Sequence, residues 1–336
     1  MRANLFGAMA ARLVAALLLA IMLAGTPALA QRHFSFGYDQ PRTTGYGIAG
    51  DTFAEQIAKL SKGSFVIDQF PGAQLGQEPQ MLQKIRTGDI DFLITSTANA
   101  ATLSPQSGVM SLHYIFRSED HLAKSLADPR IVKAMRDMFA ETVTGARVLG
   151  LATLGLRDLY GKKEIRKVED LKGVKVRVQA TATEDAIFPG YGAQTVHMPF
   201  GSVYTSLQTG VVDMAENGVN VYMANKHYET APIMSMTQHE ANNSLLWVSD
   251  KVWNALTAEQ RGWVQASADE VSRTQPARAL ALEADSQARL TKLGIRFVTD
   301  VDKSGFIKAA TPFQDSLAKD LGPHAVSILG LIRSVQ

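Results

Sequence analysis

The chain has 336 residues, 34 basic against 32 acidic, and no cysteine. Both surplus positive charges, Arg2 and Arg12, fall in the first thirty residues. The remainder is formally neutral and gives no electrostatic case for nucleic acid or anionic lipid as a partner. The missing thiols exclude disulfides and a lipid-bearing cysteine, so core burial alone must hold the fold.

Residues 1–30 combine those two arginines with an apolar run over 13–23 and Ala28-Leu29-Ala30 before Gln31. This is the pattern of a secretory signal peptide cleaved near Ala30. The run is too short to span a bilayer and no twin-arginine pair precedes it, so a soluble periplasmic protein with no membrane span in its mature form is expected. Strand-like runs at 33–38, 64–70 and 90–95 then alternate with helical patterns at 51–61 and 78–87. That βαβ rhythm predicts an α/β fold with a parallel sheet and helices on its faces. Between the first strand and helix, Gly45-Tyr46-Gly47-Ile48-Ala49-Gly50 fits G-x-G-x-x-G, with Asp68 downstream, and raises the rival reading of an exported NAD-dependent oxidoreductase. The residues 39–44 separate strand from first glycine, whereas a dinucleotide turn needs its glycines at the strand end. Export would also remove the protein from the nicotinamide pool.

A second set of elements begins near Arg147. Val174, Val176 and Val178 alternate with Lys175, Arg177 and Gln179, which predicts a strand with Arg177 pointing away from the packed face. Thr181-Ala182-Thr183-Glu184 has capping-box form, so a helix should start at Thr181 with its free N–H groups toward the strand end. An arginine fork beside a helix N-terminus suits a carboxylate; the plain alternative is a solvated edge strand. A last strand is expected at 244–249. Ligands of such sheets lie beyond the carboxyl ends of strands, so the loops after Tyr38, Phe70, Thr95 and Gln179 are where contacts belong. Thr257-Ala258-Glu259-Gln260 opens a helical pattern reaching Leu293, stopped by Gly294, with a kink or break expected at Pro276. No metal site is expected: the seven histidines show no ligand spacing, and His197, His227 and His239 are too far apart in sequence to argue for one. No nucleophile turn is present, and nothing selects a carboxylate pair for a hydrolase.

Gly155-Leu156-Arg157, the run 168–179, Met198-Pro199-Phe200 and the run 207–217 ending in Ala215-Glu216-Asn217 occur in an order that resembles the solute-binding subunit of tripartite ATP-independent periplasmic (TRAP) transporters, in the four-carbon-dicarboxylate-binding-protein family. The blocks 72–76, 88–92 and 236–239 extend the resemblance over nearly the whole mature chain. It implies a two-lobed periplasmic binding protein fold with a long interdomain helix, lobe I being 31–153 plus about 243–275 and lobe II 154–242 plus about 276–336. It implies Arg177 as the main salt bridge to a ligand carboxylate, with Arg157, Asn217 and Glu216 assisting and the Thr181 helix start nearby. Phe200 would pack on the ligand, its plain alternative being a core aromatic. Asp39, Glu78, Ser96 and Asn99 would set specificity from the first lobe. The implied function is capture of a small organic acid and delivery to a TRAP-type permease driven by an ion gradient, without cofactor or catalysis, as a monomer. Glu216-Asn217 with Tyr222 and the run 227–229 is similar to members that bind sugar acids; a four-carbon dicarboxylate or a keto or hydroxy acid is the alternative. Sialic-acid-binding relatives carry Glu and Arg at the positions of Ser96 and Asn99, and Gly218 stands where proline often follows the Glu-Asn pair.

Overall fold

The computed structural model describes residues 31–336, so the signal peptide and its cleavage point lie outside the described residues. Nine strands form one sheet: β1 (Arg32–Gly37), β2 (Phe65–Phe70), β3 (Phe92–Ser96), β4 (Ala146–Gly161), β5 (Lys175–Val178), β6 (Gln194–His197), β7 (Met214–Asn217), β8 (Ile233–Ser249) and β9 (Arg296–Val298). Their order is β2-β1-β3-β8-β4-β7-β5-β6, with β9 beside β8. The sheet is mixed, which corrects the all-parallel expectation. Parallel pairing holds inside each half, β1 with β3 and β5 with both β6 and β7. Between the halves stand two antiparallel strands of 16 and 17 residues, β4 and β8, paired from Ala146 opposite Ser249 to Gly161 opposite Ile233. Ordinary strands run to five or six residues. These two are long because each carries the chain from one half of the sheet to the other.

The expected strand at 244–249 is therefore only the end of β8, and β9 follows it. The preceding Thr237-Gln238-His239-Glu240-Ala241-Asn242-Asn243 is mostly polar in sequence, yet most of it is buried strand. Pairing between β4 and β8 shifts register between Thr153 and Leu156, where Gly155 adopts φ +94°, a conformation that favours glycine.

The helix expected from 51 starts earlier, as Gly45–Leu60. A Cβ on Gly45 would lie 2.8 Å from the Thr153 carbonyl oxygen, and one on Gly47 only 1.8 Å from that of Arg42. These glycines admit backbone into helix packing and make no phosphate turn, which removes the dinucleotide reading. Helix Glu78–Thr87 matches its expectation and is boxed by Gln77 and Gln80. Helix Ala182–Gly190 starts at Thr181, whose hydroxyl accepts from Glu184 N, but the Glu184 side chain turns inward instead of completing the box.

From its Thr257–Gln260 box, the helix Ala258–Lys292 runs unbroken for 35 residues, about 52 Å. The break expected at Pro276 does not occur. One lost hydrogen bond is outweighed locally, since the preceding Gln275 side chain donates to Gly45 O and Thr153 O and accepts from Thr153 N, and Ser272 Oγ accepts from Leu151 N. Three apolar clusters fill the interior. One gathers Phe34, Phe36, Phe53 and Phe92 beside β1 and β3; another gathers Tyr160, Leu207, Tyr222 and Met234; the largest, with Leu82, Met135, Trp247, Phe188 and Phe306, extends across both halves. The last helix, Pro323–Ser334, is tied to the first half, with His121 Nε2 3.1 Å from Ile332 O and His324 bonded to Glu141.

Candidate ligand-binding site

The carboxyl ends of β3, β5 and β7 converge on a small polar cavity, its floor formed where β4 and β8 change register. One wall carries Asp39, Gln40, Tyr46, Glu78, Ser96 and Asn99, the other Arg177, Gln179, Phe200 and Asn217, with Leu154, Arg157 and Asn242 from the two long strands. A second, larger cavity shares Asp39, Glu78, Asn99, Arg177, Gln179 and Phe200 and extends past Met198 and Pro199. Hydrogen bonds join the walls: Gln179 Nε2 donates to Ser96 Oγ at 2.8 Å and Gly201 N to Gln77 Oε1 at 3.1 Å.

Arg177 occupies the polar side of β5 as the alternation requires, but that side faces the cavity and not solvent: Lys175 is exposed while Arg177 is 3% exposed. Its Nε and Nη2 donate to one backbone acceptor, Met198 O, at 3.2 and 2.9 Å, and its guanidinium carbon lies 5.9 Å from the Phe200 ring centre. Among the described residues it forms no ion pair. Burial pushes its pKa below the ordinary arginine value, with Glu216 opposing that shift.

Arg157 is buried to 1% exposure and differently occupied. Its Nε bonds Glu216 Oε2, its Nη2 donates to Glu216 Oε1 at 2.5 Å and to Glu216 O at 3.1 Å, and Glu240 Oε2 lies 3.2 Å away. Burial works against its charge, but Glu216 and Glu240 outweigh it and hold the pKa raised. Behind this pair, burial together with the neighbouring Glu216 charge raises Glu184 to about 8, and burial with Glu184 raises Glu240 well above the carboxylate range. His113 is lowered to about 4, chiefly by burial.

Eight of the ten expected residues meet at this cavity: Asp39, Glu78, Ser96, Asn99, Arg157, Arg177, Phe200 and Asn217. Glu216 and Thr181 do not line it; Glu216 neutralises Arg157, and Thr181 caps its helix. Glu78 is fully engaged, accepting from Tyr46 Oη, Ser96 N, Ser96 Oγ and Asn99 Nδ2 at 2.7–3.1 Å. It thereby fixes the turn that carries Ser96 and Asn99. Asp39 accepts one side-chain bond, from Gln40, and burial with the Glu78 charge lifts its pKa well above the ordinary range. Tyr46, Gln40, Gln179 and Asn242 were not among the expected contacts. The adjacent Asn242-Asn243 in a strand ending in an apolar run is the signal that points to one of them. Of the histidines, His227 packs behind Phe200 with ring centres 5.4 Å apart, while His239 meets His113 and Glu240, their donor atoms within 4.8 Å of one another. That group is the one of metal-ligating type among the described residues, and Arg157 already supplies its positive charge.

An α/β sheet crossed by two long strands and one long helix, with a polar cavity where the crossing strands change register, defines a two-lobed binding protein. Residues 36–320 match the model described as bacterial extracellular solute-binding protein, family 7, and the chain belongs to that family, which supplies the solute-binding proteins of TRAP transporters. The 2,3-diketo-L-gulonate-binding periplasmic protein of Escherichia coli K12 is 28% identical over 315 residues, 93% of this chain and 94% of that protein. A TRAP periplasmic solute-binding protein of Xanthobacter autotrophicus Py2 with bound β-D-galacturonate superposes with TM-score 0.83 at 28% identity, covering 90% of this chain and all (100%) of the other. Another from Polaromonas sp. JS666, bound to D-erythronate, gives 0.84 at 26% identity over 91% and 99%. The family is one of periplasmic binding proteins and not of enzymes, and among the described residues no helix is long and apolar enough to cross a membrane.

Proposed function

We propose that this protein captures a polyhydroxylated monocarboxylate, a sugar acid, in the cavity beneath Arg177 and hands it to a TRAP-type permease. The observation that carries this is the buried Arg177 fork, which among the described residues is bonded only to a carbonyl and paired with no carboxylate. A buried guanidinium in that condition gains most from a bidentate anion. The rest of the cavity is lined by amides, hydroxyls and the Asp39 carboxyl, groups that suit ligand hydroxyls, and its other arginine, Arg157, is already paired with Glu216 and Glu240, which leaves no second free cation among the described lining residues for a second ligand charge. That favours a sugar acid over a four-carbon dicarboxylate. Ligands named for relatives, a diketogulonate, a galacturonate and an erythronate, share this chemistry.

In this reading Arg177 is the carboxylate anchor, Asn217 and Phe200 assist it from lobe II, and Asp39, Ser96 and Asn99 read hydroxyls from lobe I. Arg157, Glu216, Glu78 and Thr181 hold the site in shape. Lobe I comprises 31–153 plus about 243–275 and lobe II 154–242 plus about 276–336, except that the last helix, Pro323–Ser334, bonded to His121 and Glu141, goes with lobe I; the lobes move about the irregular points of β4 and β8. Export by a leader cleaved near Ala30, action as a monomer and release of the ligand chemically unchanged complete the proposal. Calorimetric titration with D-galacturonate, D-erythronate, 2,3-diketo-L-gulonate, succinate and malate tests it. Binding of at least one sugar acid, with recovery of the same compound, is expected; tight binding of a dicarboxylate and of none of the sugar acids would overturn it.

A further inference from the structure

Glu283 lies on the long helix, is 8% exposed, and forms no ion pair among the described residues. Its two oxygens instead accept backbone hydrogen bonds from Val219 N at 2.5 Å and Asn220 N at 2.8 Å. Burial raises its pKa well above the ordinary value while those donors pull it back. Two glycines press flat on this carboxyl. A Cβ on Gly218 would stand 2.7 Å from Oε2, and one on Gly155 would stand 2.7 Å from the carboxyl carbon. Each glycine directly follows a residue of the cavity wall, Asn217 and Leu154.

One side chain therefore holds the backbone behind two wall residues on different strands. Asn217 shows the consequence: its Oδ1 accepts from Gly218 N at 2.9 Å and Asn242 Nδ2 at 2.8 Å, so its Nδ2 is the group left to donate to a ligand. The short helix Val219–Ala224 that Glu283 secures also reaches the opposite wall. Asn225 Nδ2 donates to Gln40 Oε1 at 3.0 Å, and Gln40 Nε2 to Asp39 Oδ1 at 3.1 Å.

We infer that Glu283 is a positioning residue for ligand binding, fixing the turn from Asn217 to Asn220 from the long helix so that Asn217 presents its amide donor to the ligand. This rests on the reading that an organic acid occupies the cavity. Glutamine at this position has one acceptor for two N–H groups and sets an NH₂ against the other, so the shape is kept while the hold is lost.

The test compares wild type, Glu283→Gln, Asn217→Ala and the double variant, with Glu283→Asp as a second way to shorten the hold. Amide hydrogen exchange over 217–225 is measured without ligand, and D-galacturonate affinity by calorimetry. Faster exchange confined to that segment is expected in Glu283→Gln. Its affinity should fall by about tenfold, yet by less than about twofold when Asn217 is already alanine, because coupled residues are non-additive. Unchanged exchange in both Glu283 variants, or full additivity with Asn217→Ala, would overturn the inference. Failure of wild type to bind any sugar acid would sink the ligand reading, leaving the ligand-free exchange result to decide this one.

Discussion

Arg157 and Arg177 stand on strands either side of β7, both buried, yet they meet opposite surroundings. Glu216 lies on the strand between them and turns to Arg157, and Glu240 joins it there; among the described residues Arg177 meets only the Met198 carbonyl. A buried charge whose counterions are built into the protein serves the fold, and a buried charge without one serves whatever brings the counterion. Both arginines are expected at the ligand, yet one is held by counterions of the protein and the other, among the described residues, has none.

The largest effect that could break this comparison is on stability. Arg157→Ala leaves Glu216 and Glu240 buried without their cation and should cost about 3–5 kcal/mol in urea unfolding; a wild-type midpoint would show that the ion pair is not structural. Arg177→Ala should behave in the opposite manner, unfolding close to wild type while ligand affinity falls by about 2–5 kcal/mol, roughly thirty- to several-thousand-fold in titration. Arg177→Lys should recover only part, since an ammonium lacks the planar fork. Binding by Arg177→Ala within a few-fold of wild type would make β5 an ordinary polar strand.

Two buried acids, Glu184 behind Arg157 and Asp158 beside Gln238, sharpen the contrast through pH. Glu184, raised from 4.5 to about 8, and Asp158, raised from 3.8 to about 7, both chiefly by burial, hold protons more tightly when folded. Their contribution is complete below the unfolded values and is lost as pH rises through about 7 to 8. His113, lowered from 6.5 to about 4, acts in the other sense: its contribution is present above 6.5 and lost as pH falls through about 4. Melting temperature should therefore fall off in both directions, and Glu184→Gln should flatten the alkaline side; an unaltered alkaline slope would remove Glu184 from the account. The smallest effect belongs to the bond between walls: Gln179→Ala, which loses the contact to Ser96 Oγ, should weaken ligand binding by about 0.5–1.5 kcal/mol in the same titration.

Local rules read much of this fold. The Thr257–Gln260 box, the Thr181 cap and the positive-φ stop at Gly294 each act within a few residues, and their elements appear where sequence places them. The polar length of β8 from Thr237 to Asn243 was illegible because its side chains are satisfied by partners distant in sequence, such as Arg157 for Glu240 and Asn217 for Asn242. The same distance hid the division between the arginines: Glu216 is 59 positions from Arg157, and nothing nearby says which arginine it will choose. Glycine spacing misled in the other direction, since Gly45 and Gly47 answer to carbonyls of Thr153 and Arg42 and to no phosphate.

Before its last helix returns to the first half, the chain passes between the halves along three long elements, β4, β8 and the long helix. Two of those passages are hydrogen-bonded to each other along their length and form a ribbon, which flexes across its thin direction far more readily than it twists or shears. With a helix as a third member, any displacement of one half must bend all three together, leaving a single soft axis. A motion so confined would give up little disorder on stopping, so a ligand that arrested it would spend its binding energy on discrimination more than on ordering.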